Sequence, residues 1–363
     1  MAQHLITLIP GDGIGPEISA AMKEVVAASG ADIAWEEAPA GEACIQTAGT
    51  PLPASTLEAV KRNRVAIKGP ITTPVGTGFR SVNVALRQEL GLNVCLRPVE
   101  SFPGSGGRYT DVDLVIVREN SEDLYAGIEF EEGSEGAASL IDLVAREGAG
   151  TIRPDSGISV KPISVTQSTA IVRYAFEYAL SHGRRKVTAV HKANIMKYSD
   201  GLFLRCAREV AAEYAGRMEF DERIVDAFCM NVVMDPTQFD VVVFPNLYGD
   251  IASDLCAGLV GGLGLAPGAN IGPEYAVFEA THGSAPKYAG KGLANPTALI
   301  MSAVMMLEHV GEAGAAARIR DAVRQVYAEG EVLTRDIRRP DGTRHSSTTS
   351  EFVARVIACM EQA

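Results

Sequence analysis

Val241-Val242-Val243-Phe244-Pro245-Asn246-Leu247-Tyr248-Gly249-Asp250-Ile251-Ala252-Ser253-Asp254 is the stretch from which the rest of the chain can be read. Its first four residues form a β-branched and aromatic apolar run, the mark of a buried strand, and Pro245-Asn246 breaks that strand at its carboxyl end. A helix is expected to follow. On it Asp250 and Asp254, four residues apart, leave the same face one turn from each other, where like charges repel unless a cation lies between them. Two carboxylates from one helix, leaving positions for water and a chelating substrate, suit Mg2+ or Mn2+. A solvated helix face is the bland alternative for an isolated pair. The strand before it and the apolar, Gly-rich run Leu255 to Gly268 after it favour a functional pair instead.

The chain has 363 residues, enough for two domains, each with its own core. With 47% hydrophobic and 21% charged residues it falls among soluble globular proteins. A net charge of −12 argues against a nucleic-acid surface, so any pocket for anions must be built from specific arginines. The six cysteines are scattered singly with no C-x-x-C, which reads as small core residues in a reducing compartment. No apolar run reaches 18 residues, and Met1 to Pro10 is interrupted by Gly11-Asp12-Gly13 too soon for a signal peptide. A cytoplasmic enzyme without membrane or nucleic-acid partners is expected.

Leu5 to Ile9 reads as a strand entering Pro10-Gly11-Asp12-Gly13-Ile14-Gly15-Pro16-Glu17 and then a helix through Ala28. The G-x-G-x-G-P spacing lacks the third glycine of a dinucleotide fingerprint, so a tight strand-to-helix turn with Pro16 near the helix start is the better reading. Strands Ile33 to Glu37, Arg64 to Lys68, Val94 to Arg97, Leu114 to Arg118 and Lys186 to His191 alternate with helices from Ala54, Gln167 and Asp200. That alternation predicts an α/β architecture. Gly104 to Arg108 reads as a turn toward a second domain, residues 131–164 as loops or short strands, and Ala276 to Glu279 as a strand before helices Pro296 to His309 and Ala315 to Glu329.

Arg87 lies in a helical run opened by Ser81-Val82-Asn83, Arg97 ends one strand and Arg118 another. Arginine forks pair bidentately with carboxylates, so three converging on one cleft suit a polycarboxylate; singly, each is better read as a surface ion pair. Lys192 also follows a strand end, where α/β proteins place ligands. Its neighbour His191 and Tyr125 are, alone, ordinary structural residues.

Taken together, Gly11-Asp12-Gly13-Ile14-Gly15-Pro16-Glu17, Ser81-Val82-Asn83 with Leu86-Arg87, Arg118-Glu119-Asn120-Ser121-Glu122, His191-Lys192-Ala193-Asn194-Ile195-Met196, Asn246-Leu247-Tyr248-Gly249-Asp250 with Ser253-Asp254, and His282-Gly283-Ser284-Ala285-Pro286 with Asn295-Pro296 resemble the β-decarboxylating dehydrogenases of isocitrate, homoisocitrate and 3-isopropylmalate. The resemblance spans essentially the whole chain. It implies an isopropylmalate-dehydrogenase-like α/β fold of two α/β domains with a non-Rossmann nucleotide site and a cleft between them. The domains would be residues 1–98 plus 262–363 and residues 99–261. Within the family, Ser81 and Asn83 of Arg80-Ser81-Val82-Asn83-Val84-Ala85-Leu86-Arg87 resemble the isocitrate-recognition segment, where the isopropylmalate enzymes carry apolar residues.

The implied chemistry is loss of the substrate hydroxyl proton, hydride transfer to nicotinamide and loss of CO2, with a divalent metal stabilising developing charge. By resemblance Asp250 and Asp254 are metal ligands, joined by Asp226 from the partner subunit of a homodimer. Lys192, also from the partner, is the general base and Tyr125 the acid. Ser81, Asn83, Arg87, Arg97 and Arg118 bind substrate. Thr72, Asn194, His282, Gly283, Ala285, Lys287, Tyr288, Asn295, Arg335 and Arg339 contact the cofactor.

NAD-dependent members usually place an Asp after the proline of the nucleotide loop, whereas this chain has Lys287-Tyr288. With Arg335 and Arg339 these set the expectation at NADP, with NAD as the alternative that the chain length and the Asn246 to Asp250 segment resemble. A non-catalytic regulatory subunit is the rival; it would be expected to lose site residues, and none is lost here.

Overall fold

The computed structural model describes residues 4–73, 81–339 and 341–362; Arg80 lies outside them. In chain order the elements are β1 (His4–Ile9), α1 (Gly15–Ala28), β2 (Ile33–Glu37), α2 (Glu42–Ala48), α3 (Ala54–Asn63), β3 (Val65–Lys68), α4 (Val82–Glu89), β4 (Val94–Glu100), β5 (Asp113–Glu119), β6 (Glu129–Phe130), α5 (Glu135–Arg146), β7 (Ile158–Ser159), α6 (Val165–Ser181), β8 (Lys186–His191), α7 (Ser199–Glu213), β9 (Glu219–Ile224), α8 (Val225–Met234), β10 (Val241–Phe244), α9 (Asn246–Val260), β11 (Pro267–Ile271), β12 (Ala276–Ala280), α10 (Thr297–His309), α11 (Ala313–Glu329) and α12 (Thr349–Gln362). Among the described residues no helix is long and apolar enough to cross a membrane.

Ten strands form one sheet in the order β2-β1-β3-β12-β11-β4-β5-β10-β8-β9. Its two wings are parallel, as strands linked through helices must be. All four residues of β10 are buried, as its unbroken apolar run predicts. The centre is antiparallel: β11 pairs with both β12 and β4, and β4 with β5.

That centre decides where a site can lie. Residues directly opposite in a ladder share a face, as do residues two apart on one strand. Cys95 is opposite both Arg118 and Asn270, and Glu279 is opposite both Gly268 and Lys68. Arg97, two beyond Cys95, thus joins Arg118 and Asn270 on one face, and Glu279 and Lys68 lie on the same side. The alternate residues Leu96, Val117, Ala269 and Phe278 turn the other way into the main core beneath α1, α6, α10 and α11. Burying such a side chain contributes roughly 1.5–3 kcal/mol, which offsets the cost of ordering charged groups opposite.

Several expectations need correcting. Residues 131–164 contain the twelve-residue helix α5, and the Ser134 hydroxyl caps it by accepting from the Ala137 amide at 3.2 Å. A Gly- and acid-rich surround hid that apolar stripe. α9 runs on into the Gly-rich stretch as far as Val260. The strand β11, Pro-Gly-Ala-Asn-Ile, went unread because its propensity is poor and its neighbours on both edges fix it.

Candidate active site

Arg118 is only 1% exposed although it is one of the longest side chains in the molecule. Its Nε and Nη2 donate to Asn246 Oδ1 at 3.0 and 2.7 Å, and its Nη1 pairs with Asp250. Asn246 opens α9, so the end of β5 fixes where the carboxylate-bearing helix begins. Gly249 permits the close approach, because a Cβ there would lie 2.6 Å from Arg118 Cγ. Tyr125 sits in the 3-10 turn Asp123–Ala126, 4.7 Å from the guanidinium, and donates its hydroxyl to Asp250 Oδ2 at 2.6 Å. Burial first, then Asp250, push this phenol above its ordinary range, so it keeps its proton at neutral pH. One turn on, burial and the neighbouring Asp250 raise the Asp254 carboxyl, the repulsion their spacing predicts.

Beside this group the sheet holds a cluster that sequence reading missed. Lys68 Nζ lies 2.7 Å from Glu279 Oε2, while Arg87 and Arg97 each approach Glu279 Oε1 at 3.7 Å. Asn270 bridges them, accepting from Arg87 Nε at 3.2 Å and donating to Glu279 at 2.7 Å. One carboxylate thus serves three buried cations. Arg97 Nη1 and Asn83 Oδ1, the latter one turn before Arg87 on α4, are buried without partners among the described residues, which is what an anionic, hydrogen-bonding ligand would satisfy. Ser81 stands at the N-terminus of the same helix. The available signal was a lone charge at or next to the end of each of two otherwise apolar strands, Val-Ala-Ile-Lys and Ala-Val-Phe-Glu-Ala.

Burial alone would raise the Glu279 carboxyl, but Lys68, Arg97 and Arg87 outweigh it and hold it well below the ordinary value near 4.5. A depressed carboxylate contributes stability that is complete above its unfolded pKa and is lost as pH falls toward its folded one. Glu279→Gln, which strands three buried cations, is expected to lower the unfolding free energy at pH 7 by about 3–5 kcal/mol. Urea titrations should also show the parent, but not the variant, losing this increment below pH 4.5. Equal stability of the two proteins at pH 7 would mean that the cluster is not coupled in this way.

The expected base and the expected third metal ligand are not brought into this group. Lys192, just past β8, donates to Asp226 in the first turn of α8 and holds that carboxyl below its ordinary range. Neither bonds to Arg118, Tyr125, Asp250 or Asp254. Among the described residues no three His, Cys, Asp or Glu side chains gather to hold a metal within one chain. Two carboxylates on one helix face remain a donor set that an oxygen-seeking divalent cation fits if further ligands come from elsewhere.

The loop 282–288 is clasped by the turn after β1. The Ile14 amide donates to Ser284 O at 2.9 Å, and a Cβ on Gly13, whose φ is +60°, would overlap that same carbonyl. Asp12 accepts from the Thr72 amide at 2.9 Å, and the Thr72 and Ser284 hydroxyls meet at 2.7 Å. The glycine turn therefore builds the loop's floor, which explains its motif without a Rossmann site. His282 Nδ1 lies 3.0 Å from Gly283 O; a carbonyl only accepts, so the proton is on Nδ1 and Nε2 is a buried acceptor with no partner among the described residues. Burial holds this imidazole neutral. Such an atom fits a ligand N–H or O–H. Ala285 takes a left-handed conformation beside exposed Gly283. Asn295 donates to Asp336 at 2.9 Å and to Tyr327 at 3.1 Å, and Asn194 is exposed in the turn after β8.

A model of the family described as isocitrate/isopropylmalate dehydrogenase matches residues 5–356. The chain is 46% identical to a mitochondrial regulatory subunit of NAD-type isocitrate dehydrogenase from Dictyostelium discoideum, covering 97% of this chain and 91% of that one. It is 47% identical to catalytic subunit 5 of the mitochondrial NAD-type isocitrate dehydrogenase of Arabidopsis thaliana, covering 95% of this chain and 86% of that one. A chloroplastic 3-isopropylmalate dehydrogenase of Solanum tuberosum is also 47% identical, over 90% and 86%. Among solved structures, isocitrate dehydrogenase from Methylococcus capsulatus superposes with a TM-score of 0.90 at 49% identity, covering 99% of this chain and 100% of that one.

These relatives overturn the expectation of NADP, since the isocitrate dehydrogenase subunits among them are named for NAD. The geometry supplies a reason. Lys287, Arg335 and Arg339 are exposed, Lys287 has no ion-pair partner among the described residues, and the Arg335 guanidinium lies 6.0 Å from the Tyr288 ring. Solvated cations need no phosphate to satisfy them. In fold and in sequence the chain belongs to the isocitrate/isopropylmalate dehydrogenase family.

Proposed function

We propose that this protein is the catalytic chain of an NAD+-dependent isocitrate dehydrogenase that needs a divalent cation. The observation that carries the reading is the gathering of Arg87 and Arg97 at Glu279 and of Arg118 at Asp250 on one face of the sheet, beside Asp254 and the protonated Tyr125. That array has positive charge for several carboxylates and an acid at its edge. When bound, a cation at Asp250, Asp254 and the partner subunit's Asp226 supplies a Lewis acid, and NAD+ along loop 282–288 supplies the hydride acceptor. The arginines orient the substrate by its carboxylates, with Asn83 and Ser81 at the third. With Asp226 engaged as a ligand, Lys192 of the same chain would lose its ion-pair partner. Once its ammonium has given up a proton to solvent, the partner subunit's Lys192 would take the proton of the hydroxyl. Tyr125 delivers a proton to the carbon that has lost CO2.

The homodimer is part of the proposal, because Lys192 and Asp226 complete no site within their own chain. Met230 and Met234 of α8 and Ile251 of α9 are exposed, as a face covered by a second copy would be. We place the substrate cleft between residues 1–98 plus 262–363 and residues 99–261. The Dictyostelium relative's name raises the regulatory-subunit reading, which the full set of site residues disfavours. With isocitrate and Mg2+, kcat/KM is expected to favour NAD+ over NADP+ by about 10²-fold. A preference for NADP+, or a homomeric protein without turnover, would contradict the proposal.

A further inference from the structure

Lys161 lies in the segment between β7 and α6, with its side chain 14% exposed. Its ammonium donates to Asp200 Oδ1 at 2.7 Å, lies 3.8 Å from Asp123 Oδ1 and stands 4.5 Å from the centre of the Tyr248 ring. Both carboxylates are fully buried. Neither ends at the lysine. The second oxygen of Asp200 accepts from the Lys192 amide at 2.6 Å. Asp123 accepts from the Leu124 amide at 2.8 Å through one oxygen and from the Leu247 amide at 3.0 Å through the other. Asp123 itself holds a φ of +67°, a strained conformation for a residue with a side chain, and so needs outside support.

Those three amides belong to three elements of the site. Leu124 precedes Tyr125, Leu247 lies in the first turn of α9 ahead of Asp250 and Asp254, and Lys192 is the base. We propose that Lys161 is a positioning residue that sets all three at once through its two buried carboxylates. The catalytic roles rest on the function proposed above; the tether does not. In the homodimer the Tyr125 turn and α9 serve the protomer's own site, whereas Lys192 serves its partner's. One ammonium therefore ties the two active sites of the dimer together.

Two measurements test this. Amide hydrogen exchange in Lys161→Met is expected to accelerate by at least about tenfold at Leu124, Lys192 and Leu247, and Lys161→Arg, which keeps the charge, is expected to restore most of the protection. If Lys161→Met does not fold, Asp200→Asn keeps an acceptor for the Lys192 amide but loses the charge that holds the lysine, and the Lys192 amide should still exchange faster. Unchanged exchange at these amides overturns the tether. The second measurement uses hybrid dimers of one wild-type and one Lys161→Met subunit, isolated through two different affinity tags. Their kcat with isocitrate, NAD+ and Mg2+ is expected to be below about a tenth of the wild-type dimer's, because each site loses one element, while KM for NAD+ stays within about threefold. Half of wild-type kcat would overturn the link between sites. Faster exchange in a protein whose wild type does not oxidise isocitrate would uphold the tether and refute the proposed function instead.

Discussion

Replacing Asp250 by asparagine is expected to lower kcat/KM for isocitrate oxidation by at least about 10³-fold while costing no more than about 2 kcal/mol in unfolding free energy. The asymmetry comes from its position. Asp250 accepts from Tyr125 and pairs with Arg118, yet its side chain is 43% exposed, so solvent screens both interactions. An asparagine keeps the shape and one acceptor oxygen, and Arg118 retains Asn246. The repulsion that raises the Asp254 carboxyl is also relieved. What is lost is half of the negative charge that one helix face offers a cation, and with it the charge stabilisation on which the reaction depends. Activity in a Mg2+ titration and a urea melt on the same preparation check both halves. A folded variant with turnover near the parent's would make the pair a solvated helix face.

The α9 carboxylates were legible because a four-residue spacing after a strand breaker has one structural meaning. The three arginines were legible only as separate strand and helix ends. What brings them together is the antiparallel centre of the sheet, and β11, which closes it, carries Pro, Gly and Asn that signal no strand. Lys68 and Glu279 escaped notice for the opposite reason, since one charge at a strand end looks solvated until the register puts it beside others. The glycine turn was rightly denied a Rossmann role, but its work in holding Ser284 depends on contacts some 270 residues away in sequence. The cofactor was misread at Lys287, Arg335 and Arg339 because sequence records a charge and not whether that charge converges on anything.

Substrate choice is the other large effect. The chain is as similar to a 3-isopropylmalate dehydrogenase as to an NAD-type isocitrate dehydrogenase subunit, so overall identity does not decide between them. Local chemistry does. Asn83 Oδ1 is buried without a partner among the described residues, one turn from Arg87, and Ser81 opens the same helix. A carboxylate cannot donate to an amide oxygen, but the amide can turn its N–H to the ligand, and Ser81 can donate too. An isopropyl group would cover Asn83 and Ser81 without offering either a polar partner, the kind of mismatch that discriminates by several powers of ten. The decisive measurement is kcat/KM for isocitrate and for 3-isopropylmalate, each with NAD+ and Mg2+ on the same purified protein. Isocitrate is expected to be favoured by at least about 10³-fold; comparable values, or a preference for 3-isopropylmalate, would contradict the assignment of this site.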